Sequence, residues 1–132
     1  MKLIDSHAHL DNEQFDEDRA EVLERIKENL EFAVNIGYDI ESSRRSVKYA
    51  NENDFIYAVV GVHPIDIEGY SDEVEKELEE LASDKKVLAI GEIGLDYHWM
   101  TQPKEVQQKF FRRQMELARR VGKPVVIHSR DA

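Results

Sequence analysis

Four of the five histidines in this chain lie within or just after short apolar runs, where each could hold a metal ion. His7 and His9 occur in "LIDSHAHLD", His63 in "GVHP" and His128 in "PVVIHS". Side chains two residues apart on a strand point to the same side, so His7 and His9 can chelate one divalent ion. An isolated H-x-H pair is a short and common pattern, and His63 alone could be a capping or packing histidine.

Two carboxylates accompany these histidines. Glu92 stands inside the apolar run "VLAIGEIG", which predicts a strand end, and a buried carboxylate is costly unless it is paired or bound to metal. Asp5 lies two residues before His7, too far back for a first ligand, and we expect it to orient a histidine or face a nearby positive group. The combination of H-x-H, a strand-end Glu and a strand-end His favours a metal centre over separate structural roles.

The elements that must position these residues alternate along the chain. Five short apolar runs rich in Val and Ile predict strands buried on both faces: 3–7, 32–37, 55–63, 87–94 and 124–129. Periodic, charged segments between them predict four helices: 14–29, 41–52, 71–84 and 104–121. This order predicts right-handed βαβ crossovers and a parallel sheet, either a doubly wound open sheet or a (β/α)8 barrel. In both, functional residues gather at the carboxyl ends of the strands.

Composition narrows the class of protein further. The 132 residues suit one domain, and the absence of cysteine excludes disulfides and thiolate metal sites. No apolar run approaches the roughly 18 residues of a membrane span, so we expect a cytoplasmic protein with no membrane partner. The net charge of −10 argues against a broad nucleic-acid groove, but not against a small site that grips one or two phosphates through metal ions.

Five motifs extend these observations to a family. They are "IDSHAHLD", "GVHP", "IGEIGLDYHW", "QQKFFRRQMELA" and "GKPVVIHSRDA". In order and spacing, the chain resembles the TatD family of metal-dependent deoxyribonucleases, among the amidohydrolase-like barrels. The resemblance implies a (β/α)8 TIM barrel and two divalent ions (Mg, Mn or Zn) that activate a water. It also implies hydrolysis of DNA phosphodiester bonds, often as a 3′-to-5′ exonuclease on single strands.

The resemblance also implies roles for individual residues. His7 and His9 would bind one ion, Glu92 would bridge both ions as the catalytic carboxylate, and His128 would bind the second ion. The weaker substrate-side residues are His63, which resembles a phosphate-proximal or second-shell histidine, Tyr97 and Arg130. Asp5 remains an expected second-shell carboxylate.

Length sets an expectation of its own. A complete (β/α)8 barrel usually needs about 200–250 residues, so we expect 1–132 to be the amino-terminal part of one TatD-type barrel, with about five strands and four helices. The family's further histidine after strand 6 and aspartate near the end of strand 8 have no counterpart here. We therefore expect self-association or a need for a carboxyl-terminal half. The alternatives are a catalytically inactive metal-binding fragment, or a metal hydrolase acting on another ester or amide.

Overall fold

Five parallel strands form a single sheet in a computed structural model that describes all 132 residues. The strands are β1 (Leu3–Ala8), β2 (Leu30–Ile36), β3 (Ile56–Val60), β4 (Val87–Asp96) and β5 (Val125–Arg130). The helices are α1 (Arg19–Asn29), α2 (Ile40–Glu52), α3 (Asp72–Ala82) and α4 (Lys104–Val121). None of these helices is both long enough and apolar enough to cross a bilayer.

Local signals in the sequence set three of the eight helix ends. Asp39 and Ser42 form a capping box at the start of α2, and the Ser71 side chain accepts a hydrogen bond from the Val74 N–H at 3.1 Å at the start of α3. Gly122 ends α4 in the left-handed conformation, with φ of 68°. The prediction of a helix from residue 14 was wrong, because Asn12 caps a separate 3-10 turn and α1 begins only at Arg19.

The strands run in the order β1-β2-β3-β4-β5 without a reversal. A doubly wound sheet would reverse its strand order and carry helices on both faces, so this topology excludes that alternative. The main core lies between the sheet and the helices and includes Ile56, Leu78, Ile90 and Leu117. The expected fold class, five strands and four helices of a (β/α)8-type barrel, is confirmed.

A second, smaller apolar cluster occupies the opposite face of the sheet. Its buried members are Val34, Ile36, Val59 and Ala89. Strands β2 to β4 are therefore buried on both faces, as predicted. For β1 and β5 that prediction was wrong, because each is an edge strand with one neighbour and remains largely exposed.

Candidate metal centre

Strand register brings the predicted ligands to one end of the sheet. His7 lies near the end of β1, His9 is the first residue after β1, and His128 lies in β5. Glu92 lies within β4 and not at its end, because β4 continues to Asp96 alongside β5. The Glu92 N–H nevertheless donates to the carbonyl of Gly37 at 2.9 Å, which sets Glu92 level with the point where β2 stops.

The first cluster consists of His7, His9 and Glu92, whose ligand atoms all lie within 4.8 Å of one another. His7 Nε2 is 3.5 Å from Glu92 Oε2, and the two imidazole rings are nearly perpendicular with centroids 5.2 Å apart. His9 Nδ1 lies 3.1 Å from the Ile36 carbonyl oxygen. A carbonyl only accepts, so Nδ1 carries the proton and Nε2 keeps the lone pair that a metal ion requires.

The second cluster consists of His63, Glu92 and His128, again with ligand atoms within 4.8 Å. His128 Nδ1 lies 3.3 Å from Glu92 Oε1. The two Glu92 oxygens thus face different clusters, Oε2 toward His7 and Oε1 toward His128. A carboxylate in this position has the geometry to bridge two ions.

Asp96 is a contributor to this centre that the sequence reasoning missed. It is 2% exposed, and its Oδ2 lies 2.9 Å from His128 Nε2. Its Oδ1 accepts hydrogen bonds from the N–H groups of His98 and Trp99 at 3.1 and 3.0 Å. Alternate residues of a strand point to the same face, which is why His7 and His9 lie together. Asp96 is four residues after Glu92 in β4 and so shares its face, and this spacing could have identified Asp96 from the sequence.

The protonation of Asp96 follows from these contacts. Burial alone would raise its pKa, but the hydrogen bonds from Trp99, His128 and His98 outweigh burial and lower the pKa below its ordinary value. An ionised Asp96 accepts the proton on His128 Nε2. The lone pair of His128 Nδ1 is therefore directed toward Glu92, where an ion would lie.

His63 lies three residues beyond the end of β3, in the following loop, and not at the strand end as predicted. Its ring centroid is 4.1 Å from that of His128. Its Nδ1 accepts a hydrogen bond from the Ile65 N–H at 3.1 Å, which leaves the ring proton on Nε2. Burial, and then His128, lower the pKa of His63 to about 4, so it is neutral at neutral pH. His63 therefore presents a donor to the site, and not a free lone pair.

The remaining predicted residues lie around the clusters with other contacts. Asp5 accepts a hydrogen bond from the backbone N–H of His7 at 3.0 Å, so it holds the main chain and not the imidazole. The Tyr97 hydroxyl accepts from Gln108 Nε2 of α4 at 2.9 Å. The Arg130 guanidinium lies over the ring of Trp99, 5.6 Å from its centroid. Their assignment to substrate or second-shell roles stays a prediction.

The donor set fits a divalent cation. The Glu92 side chain is 15% exposed, and its ion-pair partners are imidazoles, with no Lys or Arg among them. Buried carboxylate charge without a fixed counter-charge is costly, and a bound cation would remove that cost. Mixed imidazole and carboxylate ligands suit Zn²⁺ and Mn²⁺, and the carboxylate oxygens suit Mg²⁺.

Comparison with known proteins gives one consistent family. The family model described as "TatD related DNase" matches residues 4–132. The chain is 47% identical over 131 residues to "Uncharacterized metal-dependent hydrolase YabD" of Bacillus subtilis, covering 98% of this chain and 51% of that protein. It is 36% identical over 126 residues to "3'-5' ssDNA/RNA exonuclease TatD" of a Rahnella species, covering 94% and 48%.

A solved structure extends the likeness to three dimensions. The crystal structure of YJJV, a TatD homologue from Escherichia coli, superposes with a TM-score of 0.83 at 30% identity, covering 98% of this chain and 51% of that one. The chain spans about half the length of the curated relatives it matches. The family predicted from the five motifs is confirmed: the chain belongs to the TatD-related DNase family.

Proposed function

We propose that residues 1–132 form the amino-terminal part of one TatD-type barrel, a cytoplasmic enzyme that hydrolyses phosphodiester bonds of single-stranded DNA with two divalent ions. The observation that carries this proposal is the position of Glu92, whose two oxygens face two separate groups of histidines. Family membership and the exonuclease name of the Rahnella relative support the choice of substrate.

Each residue of the centre has a definite part in this proposal. His7, His9 and Glu92 hold one ion, and Glu92 and His128 hold the other. Two bound divalent ions would lower the pKa of a water and neutralise the charge that develops on the phosphate. The Nε2–H of His63 donates to a phosphate oxygen, since its Nδ1 is already engaged by Ile65.

A centre of this kind requires little basic surface. Charge neutralisation by cations at one phosphate replaces the many Lys and Arg contacts of a groove that binds along the backbone. This is compatible with a net charge of −10. The acidic surface is therefore compatible with hydrolysis at the end of a nucleic-acid strand.

The family resemblance implies a larger ligand set than the one proposed here, and this bears on activity. The family resemblance implies one further histidine and one further aspartate, and neither has a counterpart among the residues described above. We infer that full coordination needs a second half of the barrel, or association with another chain. A specific alternative follows from the same observation: a metal-binding fragment without catalysis.

The test is release of nucleotides from single-stranded DNA labelled at either end, with Mg²⁺ or Mn²⁺ and with excess chelator. Glu92→Gln keeps the side-chain shape but removes the charge, so we expect the release rate to fall more than about 100-fold, beyond the loss typical of groups outside the ligand set. Glu73→Gln, an exposed change on α3, is the matched control and should leave the rate unchanged.

The outcomes separate the alternatives. Nucleotide release that continues in excess chelator, or in the Glu92→Gln variant, would contradict the proposal of a two-ion nuclease. Calorimetric binding of Mn²⁺ that Glu92→Gln abolishes, without any release of nucleotides, would support the inactive fragment. Hydrolysis of other esters or amides in a substrate panel, but not of DNA, would indicate a different metal hydrolase.

A further inference from the structure

The loop between β4 and α4 places the chain's only tryptophan in solvent beside the metal centre. Trp99 is 59% exposed, with the Arg130 guanidinium carbon 5.6 Å from its ring centroid and the His98 ring perpendicular to it at 4.9 Å. Resting on the function proposed above, we propose that Trp99 and Arg130 form a stacking platform for a nucleobase of a single-stranded substrate. A base has a π-face that stacks on exposed aromatic rings and on guanidinium planes.

Hydrogen bonds attach this platform to the metal centre. The backbone N–H of Trp99 donates to Asp96 Oδ1. The other oxygen of the same carboxylate lies 2.9 Å from His128 Nε2. The backbone N–H of Tyr97 donates to the Arg130 carbonyl at 2.9 Å. This bond joins the ends of β4 and β5, next to the residues that form the platform. In this proposal one phosphate of the strand lies at the metal centre and a neighbouring base lies on Trp99.

The segment that carries the platform is less acidic than the chain as a whole. Between residues 97 and 112 there are three basic residues and one acidic residue: Lys104, Lys109, Arg112 and Glu105. The Lys104 ammonium lies 4.5 Å from the Tyr97 ring centroid. Two further acids adjoin the platform: Asp131 Oδ2 lies 3.3 Å from His98 Nδ1, and Asp96 accepts the backbone N–H of Trp99. Basic and acidic residues are therefore nearly balanced here, which suits a short single-stranded segment held by stacking and not a duplex groove.

A protein partner would use the surface differently. Met100 is exposed next to Trp99, and an apolar contact with another protein would bury both side chains. Nucleobase stacking needs Trp99 and Arg130 but not Met100. Variants of these three residues therefore distinguish stacking on Trp99 from general apolar contact.

Trp99 supplies its own signal for the first experiment, since all tryptophan emission from this chain comes from it. The chain is titrated with tetradeoxythymidylate in excess chelator, so that no hydrolysis occurs. A tetramer of abasic deoxyribose phosphates, with the same charge, is the matched ligand control. We expect saturable quenching by the first and none by the second.

Affinity is then measured for variants from the anisotropy of a labelled tetradeoxythymidylate, after circular dichroism has shown native helix content. Trp99→Ala should weaken binding roughly 5- to 150-fold, the equivalent of about 1–3 kcal/mol for one stacked base. Trp99→Phe should retain most of the affinity, and Arg130→Gln should lose part of it. Met100→Ala should stay within about twofold of the unmodified chain, because stacking does not use it.

Equal quenching by the abasic tetramer, or undiminished affinity of Trp99→Ala, would overturn the platform. So would equal losses in Trp99→Ala and Met100→Ala, which would mean that general apolar contact, and not stacking on Trp99, holds the oligonucleotide. Failure of the nuclease proposal is separable, because binding in chelator needs no catalysis. Metal-dependent cleavage with no base-dependent quenching would overturn the platform alone, whereas quenching without cleavage would overturn the nuclease alone.

Discussion

Asp96 decides which nitrogen of His128 is available to a metal ion. Its Oδ1 already accepts two backbone N–H groups, so its Oδ2 is the atom that meets His128 Nε2. An ionised carboxylate can only accept, and this fixes the proton on Nε2. An amide in the same place would keep its oxygen on the two N–H groups and turn its NH₂ toward the imidazole, where Nε2 would have to accept.

Asp96→Asn is therefore expected to move the His128 proton from Nε2 to Nδ1. This change should be visible in the ¹⁵N NMR shifts of the imidazole in the metal-free chain. Divalent metal affinity, measured by calorimetry with Mn²⁺ or Zn²⁺, should fall about 10- to 100-fold, as it does when groups that orient metal ligands are lost. Asp131→Asn, an exposed change in the same region, should alter neither quantity. An unchanged His128 tautomer in Asp96→Asn would refute this role.

At the scale of residues, the sequence locates candidate ligands better than it predicts which ring nitrogen carries a proton. The spacing of His7 and His9, and the strand positions of Glu92 and His128, follow from the alternation of side chains. The donor role of His63 does not, because it depends on the Ile65 N–H. That amide reaches the ring only through the path of the loop after β3, which no local pattern specifies.

Among the elements, helix α4 does more than cover the sheet. Its Gln114 side chain accepts from the Val62 N–H at 2.8 Å and donates to the Val62 carbonyl at 2.9 Å, just before His63. Gln107 makes the same pair of bonds to the backbone of Asp96, at 2.8 and 3.0 Å. Both glutamines are 1% exposed. Through them, α4 holds the two chain segments that carry His63 and Asp96.

Gln114→Leu should lower the free energy of unfolding by about 2–6 kcal/mol, because it leaves a buried N–H and a buried C=O without partners at about 1–3 kcal/mol each. Urea unfolding followed by circular dichroism measures this change. Gln108→Leu on the same helix is the control. Its one bond is to the half-buried Tyr97 hydroxyl, which water can replace, so a smaller loss is expected. Equal losses in the two variants would contradict this account.

The turn from α3 to β4 contributes a pH-dependent part of the stability. Asp84 accepts hydrogen bonds from the Lys86 N–H and from Asn51 Nδ2, both at 2.8 Å, and these bonds lower its pKa below the ordinary 3.8. A carboxylate with a lowered folded pKa stabilises the fold above its unfolded pKa and loses that contribution as the pH falls through the folded value.

Asp84→Asn should therefore be less stable than the unmodified chain at neutral pH. The difference should shrink as the pH is lowered below about 3.8, the unperturbed value. Urea unfolding of both chains over this pH range measures it, and the comparison cancels the titration of other carboxylates. Asp54→Asn, outside this network, serves as the control. A difference that grows on acidification would have the wrong sign for this mechanism.

At the scale of elements, prediction succeeds where the signal is local. Ser71 and Gly122 mark helix ends through their own hydrogen bonds and backbone angles. Exposure of the apolar strands β1 and β5 could not be predicted in this way, since it depends on which strands lie beside them. A Val- and Ile-rich run has the same sequence at the edge of a sheet as at its centre.

At the scale of the whole molecule, the five-stranded sheet has two unpaired edges, β1 and β5. Leu3 and Ile4 on β1, and Val125 and Ile127 on β5, are exposed apolar residues on those edges. Edge strands carry unpaired N–H and C=O groups that recruit other strands, and closure into a barrel removes such edges. The cluster of Val34, Ile36, Val59 and Ala89 is the beginning of a barrel interior on the face away from the helices.

We therefore expect the isolated chain to self-associate at micromolar concentration through β1 and β5, with a mass above that of a monomer in light scattering. Pairing of strand edges is opposed by charge, so Leu3→Lys combined with Ile127→Lys should shift the mass toward the monomer. Met115→Lys, an equally apolar exposed site on α4 and away from both edges, should leave association unchanged. A stable, cooperatively unfolding monomer at this concentration would show that the helix-covered core suffices without pairing of the edges. Association that Met115→Lys also abolishes would place the contact on the helices.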